Sequence, residues 1–109
     1  MTSALPAVLI SPVAARIEVS PESDHEFRVT VIDGVQRTVH RVTVSASYYE
    51  KLTGRRIAAK ELVRLSFEFL LEREPMESIL QAFDLPVIGR YFPEFEREVR
   101  RRLESGASG

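Results

Sequence analysis

The chain has 109 residues, enough for one domain with a modest core. Its 15 basic and 16 acidic residues leave a formal charge of −1, so no overall charge draws it toward nucleic acid or an anionic membrane. It contains no cysteine, which excludes disulfides, thiol catalysis and cysteine-based zinc sites and is consistent with a reducing cytoplasm, the expected location.

Residues 4–15, ALPAVLISPVAA, are apolar and carry two prolines. No basic residue precedes them, as a secretory signal requires, and no stretch of the chain reaches the roughly 20 apolar residues of a membrane span. Residues 1–26 are therefore expected to form an extended or flexible leader, in which 7–10 and 16–19 are candidate short strands. It ends in the polar, acidic loop SPESDHE over residues 20–26.

Over residues 27–32, Phe27, Val29 and Val31 alternate with Arg28 and Thr30, the period of a half-buried strand. Asp33-Gly34 is a turn signal, and residues 38–44 form the return strand with Val42 and Val44 on its core face. Val39 is out of phase with them, so a bulge or a longer loop through residues 35–37 is expected. In SASYYEKLTG, Ser45 or Ser47 can cap a short helix; Ser47 with Glu50 makes a capping box. Gly54 stands where a left-handed terminator belongs.

Residues 59–74, AKELVRLSFEFLLERE, form the predicted central helix. On a helical wheel Leu62, Val63, Leu65, Phe67, Phe69, Leu70 and Leu71 cover more than half the circumference. Glu61, Arg64, Glu68 and Glu72 make a narrow polar strip with pairing distances of three and four. A helix apolar on most sides is a core helix with several neighbours. Those neighbours are the strands, the later helices or a second copy of the chain.

Glu74-Pro75 ends this helix, and Pro75 is expected to open a short one over residues 75–83 with Ile79, Leu80 and Phe83 buried. A third short segment is expected over 85–92. A last helix over 93–104 carries the stripe Phe95, Val99 and Leu103, and 105–109 is expected as a flexible tail. The predicted fold class is α+β: an N-terminal antiparallel hairpin of two or three strands packed on four or five short helices around residues 59–74. Residues 27–104 form the single domain.

SFEFLLEREP followed by SILQAFDLPVIGRYFPEFE resembles a small family of uncharacterised prokaryotic proteins. The resemblance runs from about Phe27 to Val99. It implies a hairpin, a helix like YYEKLTG and a helical C-terminal half, and carries no activity.

The sequence offers little chemistry. His25 lies in the acidic loop, and His40 is expected on the surface or at a strand edge, with no nucleophile motif around either. Glu22, Asp24, His25 and Glu26 match no metal-ligand spacing. Glu68, Glu72, Glu74 and Glu77 read as a hydrated face alternating with Arg64 and Arg73. No glycine-rich phosphate loop is present. No catalytic residue, cofactor, metal or small-molecule substrate is predicted.

Two surfaces remain. Arg28, Arg41, Arg55, Arg56 and Lys60 would form a phosphate-binding patch if they converge, although base-reading motifs are absent. Tyr91, Phe92, Phe95, Val99 and Leu103 would form an association seam, because a lone hairpin leaves free strand edges and too little cover for residues 62–71. The expected function is a non-catalytic protein–protein interaction module, acting as a homodimer or a small adaptor. The alternative is a nucleic-acid-binding or regulatory protein.

Overall fold

A computed structural model describes residues 15–107. The strand expected at 7–10 and the last two residues of the expected tail lie outside them. The fold is α+β, with a four-stranded mixed sheet and four helices among the described residues.

Strand β1 (Arg16–Pro21) pairs antiparallel with β2 (Glu26–Asp33), and β2 with β3 (Gln36–Thr43). β1 falls in the segment expected as a leader and forms one of the two outer strands of the described sheet. The hairpin is regular, without the expected bulge: pairing is unbroken from Glu26↔Thr43 to Asp33↔Gln36. Asp33 is the last paired residue, so the loop is Gly34-Val35, with Gly34 at φ 64°. A left-handed first loop residue suits a two-residue hairpin, and glycine adopts it without steric cost. Strand parity then explains Val39. Val42 is buried and Val39 is half exposed, so it is His40, in phase with Val42, that turns inward.

Helix α1 (Ala46–Thr53) starts at Ser45, whose Oγ accepts from the Tyr48 backbone N–H at 3.2 Å. It ends at Gly54 in the left-handed conformation, φ 60°. Helix α2 (Ala59–Leu71) follows and is the centre of the molecule. Leu62, Val63, Phe67 and Phe69 are wholly buried, and Ser66, small enough for close approach, donates to the Leu62 carbonyl at 2.8 Å. Two residues apart on a helix, Phe67 and Phe69 point to nearly opposite sides. Phe67 meets the sheet side, with ring centroids 5.2 Å from His40 and 6.1 Å from Phe83. Phe69 meets the C-terminal helices, 5.9 Å from Phe92 and 5.2 Å from Phe95. One chain thus covers its own central helix.

The segment after Pro75 differs most from expectation. It makes a single 3-10 turn at Met76–Ser78 and then a short strand, β4 (Ala82–Asp84), parallel to β3. Pro75 sits at φ −68°, ψ 155°, an extended conformation rather than a helix start. The buried side chains are Met76 and Ile79, whereas Leu80 is 46% exposed. Hydrogen bonds to the sheet outcompete the helix: Arg41 N–H donates to Gln81 O at 2.7 Å and Leu85 N–H to Thr43 O at 2.9 Å. Helix α3 (Val87–Tyr91) and helix α4 (Phe95–Ala107) close the fold, α4 running three residues into the expected tail. Phe95, Val99 and Leu103 are buried, a narrow stripe set against α1, α2 and α3.

Candidate functional site

The site is built where α2 stops. Its last turn carries Leu70, and Glu74 follows just before Pro75, which disfavours helical geometry at the preceding residue. The chain then swings across to the sheet, and α3 lies against the end of α2. The space between them is a pocket of about 280 Å³, open to solvent on one side. Leu70, Ile79, Phe83, Val87, Ile88 and Phe92 give it an apolar lining; Glu74, Ser78 and Tyr91 supply its polar atoms. Leu80 and Tyr91 also line it and stand 46% and 66% exposed, two of the few large apolar side chains left on the surface.

His40 fixes one wall. It is buried against Phe67, and its Nδ1 lies 2.8 Å from the carbonyl of Leu80 and its Nε2 2.9 Å from Thr38 Oγ1. A carbonyl can only accept, so Nδ1 carries the proton and donates to Leu80, and Nε2 accepts from the Thr38 hydroxyl. Burial lowers the His40 pKa, outweighing the opposing effect of the Leu80 bond. The ring is neutral and acts as a strut between β3 and the pocket wall. The sequence placed it on the surface; parity with Val42 is the signal that puts it inside.

Arg73 braces the end of α2. Its guanidinium lies 3.7 Å from the Phe69 ring centroid and donates to Phe69 O at 3.3 Å and Glu94 at 3.0 Å. Glu72 pairs with Arg73 at 3.2 Å and with Arg102 at 2.7 Å, tying the end of α2 to α4. Glu77 accepts from Gln36 at 2.9 Å. Among the described residues, the carboxylate of Glu74 makes no hydrogen bond or ion pair. Burial raises its pKa above the ordinary carboxylate value. The four carboxylates grouped by the sequence as one hydrated face are thus in different settings, and Glu74 lines the pocket.

Of the expected association seam, only part is surface. Tyr91 is exposed and Phe92 partly so; both line the pocket. Phe95, Val99 and Leu103 are at most 3% exposed and belong to the core. A four-residue stripe shows that a helix face is covered, not which molecule covers it.

The expected basic patch is divided. Arg28 and Arg41 lie directly opposite each other in the β2–β3 register, on the sheet face turned away from the buried residues. Arg28 is neutralised by Glu22 at 2.9 Å. Arg55 and Arg56 belong to the connection between α1 and α2 and Lys60 to the first turn of α2, all on the helical layer. Arg55 adopts φ 66°, and its guanidinium is held by Glu50 at 3.0 Å.

Among the described residues, no three or more His, Asp or Glu side chains are grouped as metal ligands, and no helix is long and apolar enough to cross a membrane. Comparison of the chain with models of known protein families, with curated proteins and with solved structures gives no match.

Proposed function

We propose that the chain is a non-catalytic protein–protein interaction module, a small adaptor that seats an apolar side chain of a partner protein in the pocket between α2, β4 and α3. One observation carries this reading: an apolar pocket of about 280 Å³ whose rim keeps Leu80 and Tyr91 exposed while the rest of the large apolar side chains nearby are spent on the core. Its volume of about 280 Å³ lies at the small end of ligand pockets, which run from about 300 to 1,000 Å³, and is enough for one anchoring side chain. Aromatic anchors in such pockets dominate the energetics of protein interfaces.

The nucleic-acid alternative has weaker support. Its five cations sit on two layers, and two of them, Arg28 and Arg55, are already paired with Glu22 and Glu50. Among the described residues, the exposed face of the sheet also carries no aromatic side chain on which a base could stack.

Selection of random peptides against the domain tests the adaptor reading. Binders are expected to share an aromatic or branched aliphatic residue. The pair Leu80→Asp and Tyr91→Asp should weaken them roughly tenfold or more, the scale of a lost apolar anchor. Val39→Asp, on the other face of the sheet, should leave them unchanged. Binders indifferent to Leu80 and Tyr91, or no binders at all, would contradict the reading.

A further inference from the structure

Glu74 bears on what the pocket accepts. Among the described residues it is the only acidic side chain in the lining, and no lysine or arginine lines the pocket with it. The nearest cation in sequence, Arg73, is committed to Phe69, Glu72 and Glu94. Glu72, Glu94 and Glu98 around the same helix ends all have arginine partners. Glu74 is partly shielded from water and, among the described residues, has no partner. An occupant that covers it removes more of its water. Covering an ionised carboxylate with an apolar or neutral group leaves a desolvated charge uncompensated, and covering it with an anion adds repulsion. A cation carried beside the apolar anchor replaces the lost water and forms a charge-assisted hydrogen bond.

Resting on the adaptor reading, we infer that the pocket recognises a segment of a partner protein in which an aromatic or branched aliphatic side chain stands next to a lysine or arginine, the apolar group filling the space lined by Ile79, Phe83, Val87 and Ile88 and the cation pairing with Glu74. The rim hydroxyl of Tyr91 and that of Ser78 supply the remaining polar contacts of the mouth. Glu74 acts as the selectivity element, admitting basic neighbours and rejecting acidic ones, while the apolar lining supplies most of the affinity.

Three probes of matched shape test the charge preference without a partner protein: phenethylammonium, phenethyl alcohol and phenylacetate. Each is titrated into the full chain while the methyl signals of Ile79, Val87 and Ile88 are followed by NMR. Phenethylammonium should bind roughly twofold to fivefold more tightly than the alcohol, the upper part of the range for a partly exposed ion pair, and phenylacetate more weakly than either. Raising the salt concentration should narrow the gap. Glu74→Gln should bring the three within about twofold of one another. Probes that enter the pocket but bind alike, or a preference that survives Glu74→Gln, overturn the inference and leave the docking role standing. Probes that leave these methyls unmoved overturn both. Shifts of the same methyls on concentrating the free protein mark a second copy as the occupant. Probe binding that appears only after removal of residues 1–14 marks the chain's own leader. Either result overturns the partner assignment.

Discussion

His40 shows how much one side chain can organise. Its ring joins Thr38 on its own strand to the Leu80 carbonyl, and so ties β3 to the wall of the pocket. Its pKa is lowered by burial from the ordinary value near 6.5. As pH falls, the unfolded chain therefore takes up a proton before the folded one does. The stability that neutral His40 contributes is fully present above about pH 6.5 and is lost as pH drops through that value toward the lowered one. Urea unfolding between pH 7.5 and 5 should show this decline in the wild type. In His40→Gln, which cannot titrate, that component should be absent, and an equal decline in both proteins would contradict the role given to the ring. The sequence contained the clue. Val39 conflicts with a bulge-free hairpin only if it is assigned to the core; placed outside, it leaves His40 in phase with Val42 and Val44.

The elements that sequence periodicity reveals are those stabilised by local terms or by one dominant face. The β2–β3 hairpin has its alternation and a glycine in its loop. Helix α1 has Ser45 and Gly54 at its two ends, and α2 has a wide apolar arc. β4 has none of these. It is three residues long, and it exists because Gln81 O and Leu85 N–H find partners on β3, about forty residues earlier in the chain. A helix over 75–83, which Pro75 suggests locally, would forgo those bonds and leave an edge of β3 unpaired. Hydrogen exchange separates the two arrangements. The amides of Arg41 and Leu85, which donate across the β3–β4 junction, should be protected well beyond those of the exposed loop residues Asp24 and Val35. Rapid exchange at Arg41 would contradict the parallel strand. The last helix teaches a related lesson: its Phe95, Val99 and Leu103 stripe was legible, but the neighbours it packs against, α1 and Phe69 of α2 among them, were not.

At the scale of the whole molecule, α2 is covered within one chain, by the sheet on the Phe67 side and by α3 and α4 on the Phe69 side. The case for association that rests on an uncovered central helix therefore falls away. Of the two described edges of the sheet, β4 is only three residues long and the β1 edge is guarded. Arg64 reaches from α2 to donate to the Ile17 carbonyl at 3.1 Å, Arg16 and Glu18 pair at 3.3 Å on β1, and Pro21 closes the strand. Charged residues and proline on an outer strand oppose edge-to-edge pairing. Sedimentation at micromolar concentration should accordingly give a monomer; a stable dimer would show that a second copy supplies cover which the single chain is said to provide. The candidate site was less legible than the fold. Its residues come from α2, the 3-10 turn, β4 and α3, and only the unexpected strand brings them together. Glu74, next to Arg73 in sequence, looks like part of a hydrated face until Arg73 is seen to be bound elsewhere.

The most direct test of the account is where a selected peptide binds. Methyl chemical-shift mapping with such a peptide should move the signals of Leu70, Ile79, Leu80, Val87 and Ile88 and leave Ile32 and Val39 on the opposite face of the sheet in place. Shifts centred on Ile32 and Val39, with the pocket methyls unmoved, would contradict the assignment of this pocket as the docking site.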